Sequence, residues 1–255
     1  YYFDQDGKMI TGWNVIDGSK YFFGVDGVMK TAGWQQNYYL DANGKMLTKA
    51  FTPDGYYVGS DGAYLTNSWF KHDGKDYYVN GYGHLVKNAW SGVYYLGEDG
   101  AMLKNAFTPD GYYVGKSGAY LTNSWFKHEG KDYYVNASGK LVKNQWVGDC
   151  YIDGNGNVSK DTWAGAYYLG SNGKYVKNQF TPDGYYCEAD GIYVTNRWIK
   201  VDGKDYYMNA YGKMTKDAWV GSYYLGSDGA MLIDTYTPDG YYVDENGLWT
   251  PSKWI

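Results

Sequence analysis

The side chains of this chain that could do chemistry are rings, and they recur at fixed spacing. There are 33 tyrosines and 11 tryptophans among 255 residues. A tyrosine pair is followed by an apolar residue, by a glycine six positions after the first tyrosine, and by a large side chain two further on. Fourteen copies start at Tyr1, Tyr21, Tyr38, Tyr56, Tyr77, Tyr94, Tyr112, Tyr133, Cys150, Tyr167, Tyr185, Tyr206, Tyr223 and Tyr241. An aromatic closes each copy at plus thirteen in all but the first, and most of these are tryptophans. Rings repeated at unit boundaries would line concave notches at regular intervals. Such notches suit a quaternary ammonium held by cation-π contacts, or a sugar ring stacked on its face.

Catalysis within the chain is not expected. No nucleophile elbow, phosphate loop, zinc motif or isolated carboxylate pair is present. Every aspartate that could act as an acid or base has copies elsewhere in the repeat. His72 and His128 are equivalent, but Val201 holds that place in the third block. The run DGNGNVSKD from Asp153 alternates oxygen side chains, yet position twelve of a calcium loop falls on Ala164. No metal and no cofactor is therefore expected. A net charge of −5 with scattered lysines argues against nucleic acid, and no run approaches the roughly 20 apolar residues of a membrane span. Two cysteines are too few for a disulfide framework, so Cys150 and Cys187 read as buried free thiols.

Each copy reads as a β-hairpin. Alternation puts Tyr77 and Val79 on one face and Asp76, Tyr78 and Asn80 on the other. The turns DQDG, GVDG, DANG and their relatives end in the plus-six glycine, which can take the positive φ of a short loop. One hairpin is marginal alone, so stability must come from stacking. With few aliphatic residues, the buried area is expected to come from aromatic contacts between hairpins. From each closing aromatic to the next first tyrosine the spacing runs 8, 4, 5 and repeats, giving a period of 56 residues. An extra short unit, Cys150 to Trp163, interrupts it. TPDG segments at Pro53, Pro109, Pro182 and Pro238 read as rigid corners.

The expected fold is thus all-β, a solenoid of about fourteen hairpin repeats. Repeats begin near 1, 14, 35, 52, 70, 91, 108, 126, 147, 164, 181, 199, 220 and 237, in one domain over residues 1–255. Tyr1 opens in mid-hairpin, so the chain is expected to be the C-terminal piece of a longer protein. Pro251 with Trp254 reads as a terminal lid.

The tyrosine pair, the glycine at plus six and the tryptophan at plus thirteen resemble the cell-wall-binding repeats of the choline-binding family of Gram-positive surface proteins. GWNVIDGSKYFFGVDGVMKTAGW, from Gly12 to Trp34, is the closest match. Repeats of glucan-binding streptococcal enzymes and of clostridial toxins are similar. The resemblance implies a superhelix of about three hairpins per turn that holds phosphocholine of teichoic acids between hairpins. It implies a secreted, non-catalytic anchor at the bacterial cell surface, with a parent such as a peptidoglycan hydrolase. The expected cage residues are Trp34, Tyr57, Trp69, Tyr78, Trp90, Tyr95, Tyr113, Trp125, Tyr134, Trp146, Trp163, Tyr168, Tyr186, Trp198, Tyr207, Trp219 and Tyr224. The family's aromatic before the tyrosine pair is replaced by Asp76, Asp132 and Asp205 in the long-connector units, and Tyr64, Tyr120 and Tyr193 stand where Met is usual. Only some junctions should therefore bind. The alternatives are a lectin for α-glucan or host glycan, and a structural spacer.

Overall fold

A computed structural model of the chain describes residues 1–251; Trp254, half of the expected terminal lid, lies outside the described residues. The chain is all-β, a solenoid of hairpins, with thirteen two-stranded antiparallel ladders and no helix among the described residues. It divides into two compact units, residues Tyr1–Ser124 with Val135–Leu141, and Trp125–Tyr134 with Val142 onward.

The main ladder of each unit lies one step away from where alternation alone would put it. The closing-aromatic strand pairs with the tyrosine strand that follows it, across the connector: Trp13 faces Phe22, Trp34 faces Tyr39 and Trp90 faces Tyr95. The turn at the plus-six glycine is real, but a single bridge closes it, as in Phe23 with Met29 or Val79 with Leu85. All fourteen of these glycines have positive φ.

Connector length sets ladder length. An eight-residue spacing gives five-residue strands, such as Ser68–His72 with Lys75–Val79. A four-residue spacing gives three-residue strands, such as Ala89–Ser91 with Tyr94–Leu96. TPDG connectors leave two, as in Ala106–Phe107 with Tyr113–Val114. The long hairpins turn on Asp17-Gly18, Asp73-Gly74, Glu129-Gly130 and Asp202-Gly203, where φ is positive at both positions, as a type I′ turn requires. In TPDG the threonine carbonyl accepts from the glycine amide, Gly55 to Thr52 at 2.9 Å. The buried Thr52 hydroxyl donates to Asp54 Oδ1 at 2.6 Å and accepts the Tyr56 amide at 3.0 Å, so the corner is held from within.

The core is an aliphatic centre lined by buried rings. From the second copy onward the residue two after each first tyrosine forms a buried series: Phe23, Leu40, Val58, Val79, Leu96, Val114, Val135, Ile152, Leu169, Cys187, Met208, Leu225 and Val243, none more than 2% exposed; Phe3 of the first copy is 56% exposed. Few aliphatic side chains suffice because each hairpin needs one. Cys187 is a member of this series and both cysteines are free, but Cys150, at a first-tyrosine position, is only half-buried.

One corner recurs that composition hides. Two residues before each closing aromatic from Trp34 to Tyr236 the backbone is left-handed, with φ of 43 to 50°. The residue there donates its amide across its own hairpin, as Asn67 does to the Asn80 carbonyl at 3.0 Å and Asn88 to Gly97 at 3.0 Å. Asn or Asp holds all but two of these places, as expected for the residues that tolerate this region best. Ala32 and Lys49 are the exceptions, with φ of 50 and 48°. Ala32→Asn and Lys49→Asn should each stabilise the chain by roughly 0.5–1 kcal/mol, part of the roughly 1–2 kcal/mol that this region costs a residue with a Cβ. Urea midpoints test it; an unchanged midpoint in both variants would refute the strain argument.

Candidate functional site

The notches form where one hairpin's tryptophan meets the next hairpin, and their walls are the next first tyrosine and the large residue at plus eight. Trp34 meets Tyr56 and Tyr64 edge-on, with ring centroids 5.5 and 5.7 Å apart, and those two tyrosines are 5.8 Å apart. Trp90 with Tyr112 and Tyr120, Trp146 with Tyr167 and Tyr175, and Trp163 with Tyr185 and Tyr193 repeat the three-ring box. At Trp219 the walls are Tyr241 and Trp249. Elsewhere methionine replaces the third ring: Trp13 with Tyr38 and Met46, and Trp69 with Tyr94 and Met102. These notches enclose about 290 to 400 Å³.

The expected tryptophans, Trp34, Trp69, Trp90, Trp125, Trp146, Trp163, Trp198 and Trp219, all lie at such junctions. The expected second tyrosines lie elsewhere. Tyr57, Tyr95, Tyr113, Tyr168 and Tyr224 are buried, and Tyr78, Tyr134, Tyr186 and Tyr207 are half-buried. Each packs on the closing aromatic of its own hairpin, as Tyr95 does on Trp90 and Tyr168 on Trp163. The residues that alternation did not single out are the first tyrosines and the plus-eight residues. Their signal was present, since plus eight alternates only among Met, Tyr, Leu, Val and Trp.

The junction closed by Phe51 differs. Phe70 stacks on Tyr57 at 3.9 Å and meets Phe51 at 5.8 Å, so the protein's own ring fills that notch.

Four tryptophans donate an indole N–H to the TPDG carboxylate of the next hairpin: Trp34 to Asp54 at 2.7 Å, Trp90 to Asp110 at 2.9 Å, Trp163 to Asp183 at 3.0 Å and Trp219 to Asp239 at 2.8 Å. Partial burial pushes the Asp54, Asp110 and Asp183 carboxyls up. Hydrogen bonds from the threonine hydroxyl and the indole outweigh it, so each ends below the usual carboxylate range. Asp239 is lowered too, with those hydrogen bonds leading. The box at these junctions thus carries an anion on its rim and a fixed indole orientation. Lysines reach some tyrosine faces: Lys140 Nζ lies 3.6 Å from the Tyr112 ring centre and Lys213 Nζ 4.0 Å from that of Tyr185. At the matching place His84 Nε2 is 3.0 Å from the Tyr56 hydroxyl.

The Trp125 junction is the exception. Cys150 replaces the first tyrosine and Val158 the large residue, so two walls are missing. The opening is about 540 Å³, lined also by Asp132, Asp149, Asn172 and Lys174, with Trp125 47% exposed.

A family model described as a choline-binding repeat matches residues 28–64, 84–120, 157–193 and 214–249. A second choline-binding repeat model matches 1–34, and a cell wall binding repeat model matches 123–141 and 196–214. The chain belongs to the choline-binding repeat family. Among solved structures, this choline-binding repeat chain is 32% identical to the choline-binding domain of CbpL from Streptococcus pneumoniae, covering 74% of this chain and 100% of that one with a TM-score of 0.46. Glucosyltransferase-S of Streptococcus mutans is 28% identical over 96% of the chain, which spans only 14% of that protein. A Streptococcus pneumoniae protein named as an endo-beta-N-acetylglucosaminidase is 30% identical over 28% of the chain and 12% of its own length.

Proposed function

We propose that the chain is a non-catalytic module that attaches the protein carrying it to phosphocholine on teichoic acids of a bacterial cell wall. The observation that carries this reading is the three-ring box, such as Trp34, Tyr56 and Tyr64 with centroids 5.5 to 5.8 Å apart and a carboxylate on the rim. A trimethylammonium group has no N–H to donate, so ring faces and a nearby anion are what can bind it. Two or three desolvated cation-π contacts at up to about 2 kcal/mol each leave roughly millimolar affinity per junction once association costs are subtracted. Several such junctions engaging one polymer gain about 10² to 10⁴ in avidity. The parent is then a secreted surface protein, such as a peptidoglycan hydrolase.

One observation favours a second reading, a glycan ligand. Trp125 is 47% exposed and lacks the tyrosine wall of the other junctions, and Asp132, Asp149, Asn172 and Lys174 line the opening, which suits a sugar better than an ammonium. Titration of intrinsic tryptophan fluorescence separates the two. A saturable millimolar response to choline chloride supports the first; a response to oligosaccharide alone supports the second and defeats the first. Silence to both leaves only a spacer.

A further inference from the structure

Four junctions follow eight-residue connectors, at Trp13, Trp69, Trp125 and Trp198, and they differ in charge at two places that face each other across the notch. One is the residue before the first tyrosine: Lys20, Asp76, Asp132 and Asp205. The other lies 28 positions later, across the junction: Thr48, Lys104, Lys160 and Ile233. At Trp69, Lys104 Nζ sits 2.7 Å from Asp76, and both line the notch with Tyr94 and Met102. Lys160 closes on Asp132 at 2.8 Å in the same way. Asp205 has no such partner, because Ile233 stands there, 54% exposed.

Much of the remaining surroundings matches, although the turn that supplies Ser117 to the Trp69 notch reads Lys116-Ser117 where the other block has Glu245-Asn246, which tilts the charge at Trp198 in the same direction. Lys71 and Lys200 pair with Asp76 and Asp205 from the facing strand, at 3.5 and 3.2 Å. Lys75 pairs with Asp99 at 2.9 Å, and Lys204 with Asp228 at 3.1 Å. The Met102 and Met231 amides donate to the Asp76 and Asp205 carbonyls, each at 2.8 Å, so both aspartates sit against the methionine wall. Trp198 meets Tyr223 at 5.5 Å, as Trp69 meets Tyr94 at 5.2 Å. Glu98, where the other block has Ser227, stands on an exposed turn away from the lining.

We propose that the junction of Trp198, Tyr223 and Met231 is the seat that a quaternary ammonium fills ahead of the Trp69 seat, because Asp205 faces it without a lysine across the notch. The inference rests on the choline reading above. A bound cation at Trp69 meets the Lys104 ammonium at close range; at Trp198 it meets a carboxylate with one partner fewer. One unit charge a few ångströms from the ligand in a solvent-exposed notch is worth about three- to tenfold in affinity. At Trp13, Lys20 replaces the carboxylate, so that seat should fill last of the three.

The experiment labels the full chain with 5-fluorotryptophan and follows each ¹⁹F resonance during titration with choline chloride, with Trp69→Phe and Trp198→Phe to assign two of them. The Trp198 signal should saturate at about three- to tenfold lower choline than that of Trp69. Ile233→Lys should move the Trp198 midpoint up to that of Trp69, and Lys104→Ile should move the Trp69 midpoint down. One molar sodium chloride should narrow the gap, since exposed charges are screened. Equal midpoints in the parent, or midpoints that ignore both exchanges, overturn the charge argument and leave choline binding standing. No response of any indole to choline overturns both.

Discussion

Replacing Gly191 by alanine is expected to destabilise the chain by roughly 2–5 kcal/mol and to weaken the ligand response of Trp146. Two costs combine. Its φ is +85°, a conformation that costs a residue with a Cβ roughly 1–2 kcal/mol. A Cβ there would also fall within the envelope of the Tyr175 ring and 3.2 Å from Tyr167 Cδ1. Overpacking of that kind adds about 1–3 kcal/mol, since a ring held edge-on by its neighbours has little room to retreat. Both rings are walls of the Trp146 box. Gly184→Ala is the control: its φ is +87°, and nothing lies within 4 Å of an added Cβ. It should show the strain alone, with the Trp146 response intact. Equal unfolding free energies for the two variants would mean that the rings yield freely, and the glycine would then matter only for its backbone.

That pair of glycines also marks how far the sequence could be read. The repeat, the positive φ at plus six, the TPDG corners and the 8, 4, 5 rhythm were all legible, because each is a spacing imposed by local backbone geometry. The rhythm even foreshadowed the ladder lengths, although the ladders run across the connectors and the plus-six turns keep one bridge each. What spacing could not say is which of two adjacent tyrosines faces the next hairpin. Tyr56 and Tyr57 are the same residue type at adjacent positions, Tyr57 opening the strand Tyr57–Val58 and Tyr56 just before it, and both rings are covered: Tyr57 by Phe51 and Phe70, Tyr56 by Trp34 and Tyr64. The left-handed corner two residues before the closing aromatic was hidden as well, since Ala32 and Lys49 blur the Asn and Asp pattern that marks it. The aliphatic core was missed for a related reason. A series with one member per hairpin contributes little to composition, yet it holds nearly all of the most deeply buried side chains.

Leu169→Ala should cost about 2–5 kcal/mol, the range for removing a fully buried leucine and leaving a cavity. Leu169 is 0% exposed, pairs with Thr162 in its ladder and bridges Tyr175. In a stack of short hairpins stability is close to a sum of intrinsic terms and neighbour interfaces, so the position of the deletion matters as much as its size. Val243, also 0% exposed, belongs to the last ladder in the described residues. A deletion there should loosen that hairpin while its neighbours persist. Leu169 has hairpins before and after it in the same unit, and its loss should weaken both interfaces. Val243→Ala should therefore show lost amide protection confined to residues after about 235, with most of the unfolding transition kept. Leu169→Ala should lower protection on both sides of residue 169 and shift the main transition to lower urea. Cys187→Val, which keeps the volume close and removes the thiol, should leave the midpoint within about 1.5 kcal/mol of the parent. If Leu169→Ala and Val243→Ala gave the same local loss, the buried series would be a set of independent plugs. A wider loss for Leu169→Ala makes it a continuous core that couples one ring box to the next.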